Sequence, residues 1–225
     1  MTIEPASSPA TLSGNGHPTD AAVNPQHPHL IETGLSSRDM VRGDFLHARH
    51  DTVRLPDGDV ATREYVVHPG AVMVIPLLDD GTGALRVVLE RQFRYPIGRV
   101  MIEFPAGKLD PGEDLLHCAM RELREETGYR AREWAHAGVL HPLVAYSTEF
   151  IDIWFARGLT MGERQLDAGE FLDVFSATPD ELARWCRDGE VTDGKTLAGA
   201  LWLQNMLTGA WPLRWRRSND AGAAG

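Results

Sequence analysis

Residues Gly107–Tyr129 read GKLDPGEDLLHCAMRELREETGY. From Asp114 to Thr127 the stretch has neither Gly nor Pro. Leu116, Ala119, Met120 and Leu123 recur at helical spacing, so this half is predicted to be a helix with one apolar face. Glu122, Glu125 and Glu126 stand three and four residues apart, and at about 100° per residue their side chains share one arc of the helix. Carboxylates crowded in this way repel one another unless a cation sits among them. A hard divalent ion that prefers oxygen ligands, Mg²⁺ or Mn²⁺, is the natural occupant. Read alone, ELREE is most simply a solvated polar face. The residues before it favour the ion: Pro105, Gly107, Pro111 and Gly112 force a tight loop into the helix, and Asp110, Glu113 and Asp114 gather at its N-terminus, where the helix dipole favours acids. A loop of that kind can present backbone carbonyls to the acidic arc. Arg121, adjacent to Glu122 and downstream of Glu113, is read as pairing with one of these acids and orienting it.

Outward from this stretch, the 225 residues suffice for one sizeable core with appendages. A formal charge of −10 argues against a general nucleic-acid binder, which would carry a basic surface. The two cysteines, Cys118 and Cys186, are far apart and lack ligand-like spacing. A reducing cytoplasm is the expected setting, with Cys118 a small packed residue of the helix. Residues 1–30 are rich in Pro, Ser, Ala, Asn and Gly, hold no apolar run fit for a signal peptide or membrane span, and are expected to be a disordered leader. His17, His27 and His29, lying in or beside it, are read as solvent-exposed.

Residues 31–68 turn strand-like: Phe45, Leu46, Val53 and Leu55 precede the turn Pro56-Asp57-Gly58, and Val60–Val67 follows it, which predicts a small antiparallel sheet. Residues 69–212 are expected to be the main domain and residues 213–225 a flexible tail, with Arg214, Arg216 and Arg217 solvated. Within the domain, Ala71–Leu78 reads as a buried strand and Leu85–Leu89 as its return. Beyond the quoted helix, residues 134–143, 149–159 and 170–175 read as strands. Thr178-Pro179-Asp180 starts a helix running to about Arg187, and Thr192–Leu207 makes another. This order gives an α+β fold, a mixed sheet with helices packed over it.

Gly107, Glu113, Arg121, Glu122, Leu123, Glu125, Glu126 and Gly128, at this spacing, resemble the signature of the Nudix hydrolases; Tyr129 departs from it, where an aliphatic residue is usual. The resemblance implies an α/β/α sandwich with a mixed sheet and hydrolysis of a nucleoside diphosphate linked to another group. The chemistry of the residues agrees: divalent ions among the carboxylates can bind pyrophosphate oxygens, acidify a water and offset charge on the leaving phosphate. Glu122 and Glu126 are then bridging metal ligands, Glu125 a ligand of a further ion or a water-orienting group, and Ala106 a donor of its carbonyl oxygen.

The flanks narrow the branch. Glu64, Gly70-Ala71, Glu90-Arg91-Gln92-Phe93-Arg94-Tyr95-Pro96 and Glu103-Phe104-Pro105-Ala106-Gly107 resemble the ADP-ribose pyrophosphatases, over about residues 42–211. That branch implies a small-molecule substrate, ADP-ribose or a related ADP-sugar, giving AMP and a sugar phosphate. It also implies a homodimer, to which Trp202, Trp211 and Trp215 could contribute, although a helical Trp is more often core. Arg63, Arg91, Arg94 and Glu103 become candidates for gripping substrate, since a guanidinium fork suits phosphate oxygens. A downstream acid is expected near Asp167-Ala168-Gly169-Glu170-Phe171. Glu170 fits a metal-side glutamate and ranks first as general base, Asp167 second, with Glu149 also open; many relatives carry an acid where this chain has Ala168. His141-Pro142-Leu143 stands in place of a Ser-Pro-Gly turn, which widens the expected substrate to ADP-sugars in general. Other Nudix specificities, such as another nucleotide sugar or a dinucleoside polyphosphate, form the second reading. A non-catalytic nucleotide sensor is the third, and the complete set of charged signature residues weighs against it.

Overall fold

The computed structural model describes residues 27–79, 81, 83–166 and 168–218. Most of the expected leader, and Asp167, lie outside the described residues. The chain divides into two units, one ending at Val67 and one beginning at His68.

In the first unit, β1 (Thr33–Arg42), β2 (His47–Arg54) and β3 (Val60–Val67) form an antiparallel sheet in that order. The predicted turn joins β2 to β3: Gly58 takes a φ of 95°, and Asp57 accepts the N–H of Asp59 at 3.0 Å. Little of this sheet is buried beyond Asp51 and Val53. Asp51 accepts hydrogen bonds from Ser37 Oγ and from Tyr65 Oη, the latter at 2.9 Å. Burial, reinforced by Asp51, pushes the Tyr65 phenol up to about 12.

The second unit is built on a mixed sheet. Its strands are β4 (Ala71–Asp79), β5 (Leu85–Arg94), β8 (Tyr129–Leu140), β9 (Ile151–Met161), β10 (Leu172–Ala177) and β11 (Arg216–Arg217), in the spatial order β10-β5-β4-β9-β8-β11. Two short strands, β6 (Arg99–Glu103) and β7 (Ala106–Lys108), pair with β5 and β4. The β4–β9 pair is parallel and the others are antiparallel. Three helices complete the unit: α1 (Leu115–Thr127), α2 (Pro179–Asp188) and α3 (Gly194–Leu207).

The apolar run in β4 reflects burial on both faces. Met73, Ile75 and Leu77 enter one core with Leu182 of α2 and Leu203 of α3, while Val72 and Val74 enter another with Leu116, Ala119 and Leu123 of α1. A sheet with α1 on one face and α2 and α3 on the other is the α/β/α sandwich. Helix ends follow their caps. Asp114 accepts the N–H groups of Leu116 (3.0 Å) and His117 (3.2 Å), and Gly128 closes α1 at φ 78°. Thr178 and Glu181 form a reciprocal capping box with Pro179 in the first turn of α2.

Three sequence readings need adjustment. Strand β8 begins at Tyr129 rather than Trp134, because the polar stretch Tyr129–Ala131 pairs with Leu159–Met161. It stops at Leu140, where Pro142 cannot donate to a ladder and Tyr146 N–H closes a turn on Leu143 O at 3.1 Å. The expected tail is docked as far as Ser218. Arg216 and Arg217 pair with Trp134 and Glu133, Arg157 lies 4.0 Å over the Trp215 ring, and Ser218 Oγ donates to Ala131 O at 2.7 Å. Trp202 and Trp211 pack edge to face at 4.5 Å, Trp202 against the α2–α3 core.

Candidate active site

The quoted helix carries its acids into the protein. Glu122 and Glu126 are 9% and 3% exposed, whereas Glu125 is only partly buried. Gly107 makes this possible. A Cβ there would fall 2.0 Å from the Glu122 carboxyl carbon, so the bare backbone of β7 is a cradle for that side chain. Pairing of β7 with β4 sets Gly107 opposite Val72 and Ala106 opposite Met73, and Ala106 N–H donates to Glu126 Oε2 at 3.0 Å.

Arg121 organises the outer rim. It donates to both oxygens of Glu113 (2.8 and 2.7 Å), to Glu122 (2.7 Å), to Glu125 (3.3 Å) and to Lys108 O (3.1 Å). Its guanidinium holds the Glu113 carboxyl down to about 2. Arg124 takes the other oxygen of Glu125 at 2.6 Å. Cys118, buried beside this rim, is a free thiol as expected, and Cys186 is also free.

Inside the rim negative charge is only partly compensated. Burial pushes the Glu122 carboxyl up to about 7, with Arg121 opposing and Glu125 and Glu170 adding to the rise. Burial, then the charges of Glu90, Glu122 and Glu170, raise Glu126 well above the ordinary carboxylate range. Glu170 accepts from Gln92 Nε2 at 3.5 Å, at the entrance to β10.

Nothing in the sequence reading set Glu90 among the functional residues. It is fully buried on β5, and burial followed by the charge of Glu103 pushes its carboxyl up to about 8. Its only sequence signal is an acid closing the apolar run Val87-Val88-Leu89. Lys195 was missed as well. It donates to Glu103 from the first turn of α3, while Arg94 grips both Glu103 oxygens at 2.8 Å. Burial alone would raise the Glu103 carboxyl, but Arg94 and Lys195 outweigh it and hold the group below its usual range. Next to Lys195, Thr196 Oγ1 accepts the N–H of Phe104 at 3.1 Å, and Asp193 in turn holds Thr196 at 2.6 Å.

The structure therefore gathers Glu122, Glu126 and Glu170 on the sheet side of α1, with Ala106 against Glu126. Arg121 and Glu125 form the rim. Arg94 and Glu103 are joined to each other rather than left open, and Arg91 lies 3.9 Å over the Phe175 ring. Arg63 belongs to the first unit, where it pairs with Glu32. Glu149 stands 4.0 Å from His68. Among the described residues no three His, Cys, Asp or Glu side chains form a ready-made metal cage, and Glu122 and Glu125 each turn an oxygen to Arg121. The donor chemistry nonetheless fits a hard divalent cation: oxygen ligands only, two of them buried acids that repel each other, and a glycine cradle that keeps one in place.

Comparison with known proteins agrees with this geometry. The NUDIX domain model matches residues 67–198, and the model of the nucleoside diphosphate sugar hydrolase N-terminal domain matches residues 32–66. The ADP-ribose pyrophosphatase of Bacillus subtilis (strain 168) is 33% identical over 177 residues, 78% of this chain and 94% of that protein. The ADP-ribose pyrophosphatase of Mycobacterium tuberculosis (H37Rv) is 34% identical over 184 residues, 80% and 86% of the two chains. A crystal structure of an ADP compounds hydrolase superposes with a TM-score of 0.70 at 21% identity, covering 80% of this chain and 95% of that one, a likeness of fold. With the signature helix α1 (the box helix), its glycine cradle and the family match all falling within the same stretch, the chain belongs to the Nudix hydrolases.

Proposed function

We propose that this hydrolase cleaves the pyrophosphate bond of ADP-ribose or a related ADP-sugar, yielding AMP and a sugar phosphate, with Mg²⁺ or Mn²⁺ as cofactor. The observation that carries the reading is the pair of buried acids, Glu122 and Glu126, one turn apart beneath the Gly107 cradle, in a chain whose relatives include ADP-ribose pyrophosphatases.

Glu122, Glu126 and the Ala106 carbonyl would hold the metal, with Glu125 and Glu170 as further ligands. When bound, divalent ions supply neutralisation of the diphosphate and of the charge that develops as the bridge breaks. The protein's own groups do the rest. Arg121 fixes the Glu122 and Glu125 carboxylates, so that their orientation does not depend on cation binding. Glu170 is the leading general base, which would take the proton of the attacking water, with Asp167 next in rank. Arg91 and Arg94 are the proposed grips on phosphate or terminal ribose. Glu103 sets the angle of Arg94, and Arg63 is retained from the resemblance.

A screen of Mg²⁺-dependent hydrolysis tests this directly. ADP-ribose should be turned over with AMP resolved among the products, faster than UDP-sugars or dinucleoside polyphosphates. Preference for either of those classes would shift the assignment to another Nudix specificity. No turnover of any diphosphate would end the enzymatic reading.

The chain is further proposed to act as a homodimer in the cytoplasm. The first unit leaves Phe45 68%, Val60 58% and Leu46 50% exposed, more apolar surface than a lone three-stranded sheet carries comfortably. Free cysteines suit a reducing compartment. Among the described residues no helix is long and apolar enough to cross a membrane. Sedimentation equilibrium should return twice the chain mass of 24.8 kDa; a monomer at micromolar concentration would refute the dimer.

A further inference from the structure

We infer that Glu90, an acid from the sheet rather than from the box helix or the downstream loop, is an additional ligand of the divalent-cation centre. The inference rests on the metal-dependent reading above and adds a residue to it.

Alternation along β5 places Val87 and Leu89 in the α2–α3 core and turns Val88 and Glu90 to the opposite face, that of α1. Val88 accordingly lines one hollow with Thr127 at the end of that helix. Glu90 is 0% exposed, and neither of its carboxyl oxygens has a hydrogen-bond partner. Buried polar atoms are almost always paired, and a buried acid with both oxygens orphaned is a rare exception.

The acids around it do not lack partners of this kind. Glu103, its register neighbour on β6, is held by Arg94 and Lys195, and Glu126 accepts from Ala106 N–H. Within its electrostatic reach lie Glu103 with the cations Lys195 and Arg94 that already hold that acid, and, toward α1 and the downstream loop, Glu126 and Glu170. A fully buried carboxylate among other acids, with neither oxygen hydrogen-bonded, is stabilised by a cation bound among them. Glu126, Glu122 and Glu170 are the groups already assigned to hold one. Mounted on a strand flanked by β4, β6 and β10, Glu90 would be the most rigidly held donor of the set.

The test uses the whole chain and Mn²⁺ alone, followed by titration calorimetry and by thermal melting with and without the ion. Glu90→Gln keeps the volume and removes the charge, and Glu90→Leu removes the polar group. Both variants should bind Mn²⁺ about 10- to 100-fold more weakly than the wild type. Without metal, Glu90→Leu should melt at or above the wild-type temperature, since an unpaired buried acid has been removed, and should gain less from Mn²⁺. Mn²⁺ affinity equal to the wild type in both variants overturns the inference. A Glu90→Gln chain that fails to fold overturns it too, because an uncharged isostere relieves a buried charge rather than creating one. Glu122→Gln run in parallel separates the two levels. If it loses Mn²⁺ while the Glu90 variants keep it, only the role of Glu90 falls. If the wild type takes up no Mn²⁺, the metal-dependent hydrolase falls as well.

Discussion

Glu122→Gln and Glu126→Gln are each expected to lower ADP-ribose hydrolysis by about 10³-fold or more, with little change in the folded structure. Metal neutralisation of a splitting diphosphate is worth several kcal/mol, and each 1.36 kcal/mol is a factor of ten. Loss of a ligand that no neighbour can replace therefore removes most of the rate. Stability should move little and in the other direction. Glu126 is almost fully buried among Glu90, Glu122 and Glu170, so removing its charge relieves repulsion in the metal-free protein. For Glu122 the relief is smaller, because its charge is partly matched by Arg121, which keeps its two bonds to Glu113 in the variant. Steady-state kinetics at saturating Mg²⁺, with thermal melts of the same preparations, would decide the matter. Near-normal turnover in both variants would remove the box acids from the mechanism.

Gly107→Ala should be almost as damaging to activity, for a reason that is steric rather than chemical. The added Cβ would lie 2.0 Å from Cδ and Oε1 of Glu122 and 2.4 Å from Oε2, distances no real contact tolerates. Gly107 has a negative φ, so alanine fits its backbone and the conflict falls wholly on the glutamate. A flexible side chain yields more easily than a strand, and Glu122 would rotate off its position while β7 stayed paired to β4. Displacement of a catalytic group by about 1 Å can cost 10²-fold, and that is the loss expected here, with a melting temperature close to that of the parent. A Gly107→Ala enzyme of full activity would show that Glu122 does not need the position in which it is found. A large loss of stability would assign the glycine to the fold instead.

These two positions were readable from the sequence because the signature is local. Asp114 and Gly128 bracket a helix whose limits follow from capping chemistry, and the Glu122–Glu126 arc follows from helical geometry alone. The buried run of β4 was equally plain, since a central strand has no solvent face to alternate with. What escaped was set by tertiary structure. Strands β6 and β7 are five and three residues long and are interrupted by Phe104-Pro105, too short for any period to emerge. Lys195 meets Glu103 across 92 residues of chain, a separation with no local trace. Glu90 looked like the polar end of a strand; only the tertiary packing around β5 leaves both its oxygens buried and unpaired. Arg94, a candidate grip on phosphate, also pairs with Glu103 nine residues on, a contact made only once β5 and β6 are folded against each other.

The clasp between α3 and the segment before the box bears on how the protein can be dissected. Residue 198, where the domain match stops, falls in the middle of α3. A fragment ended there would keep Asp193, Lys195 and Thr196 but leave them at the start of a frayed helical stub, without Leu203 to anchor it and without the closing edge at Arg216–Arg217. Phe104 would lose the dependable acceptor for its N–H, and slack would pass through Pro105 into the cradle. Expression boundaries are better drawn beyond Ser218 than at the limit of sequence similarity.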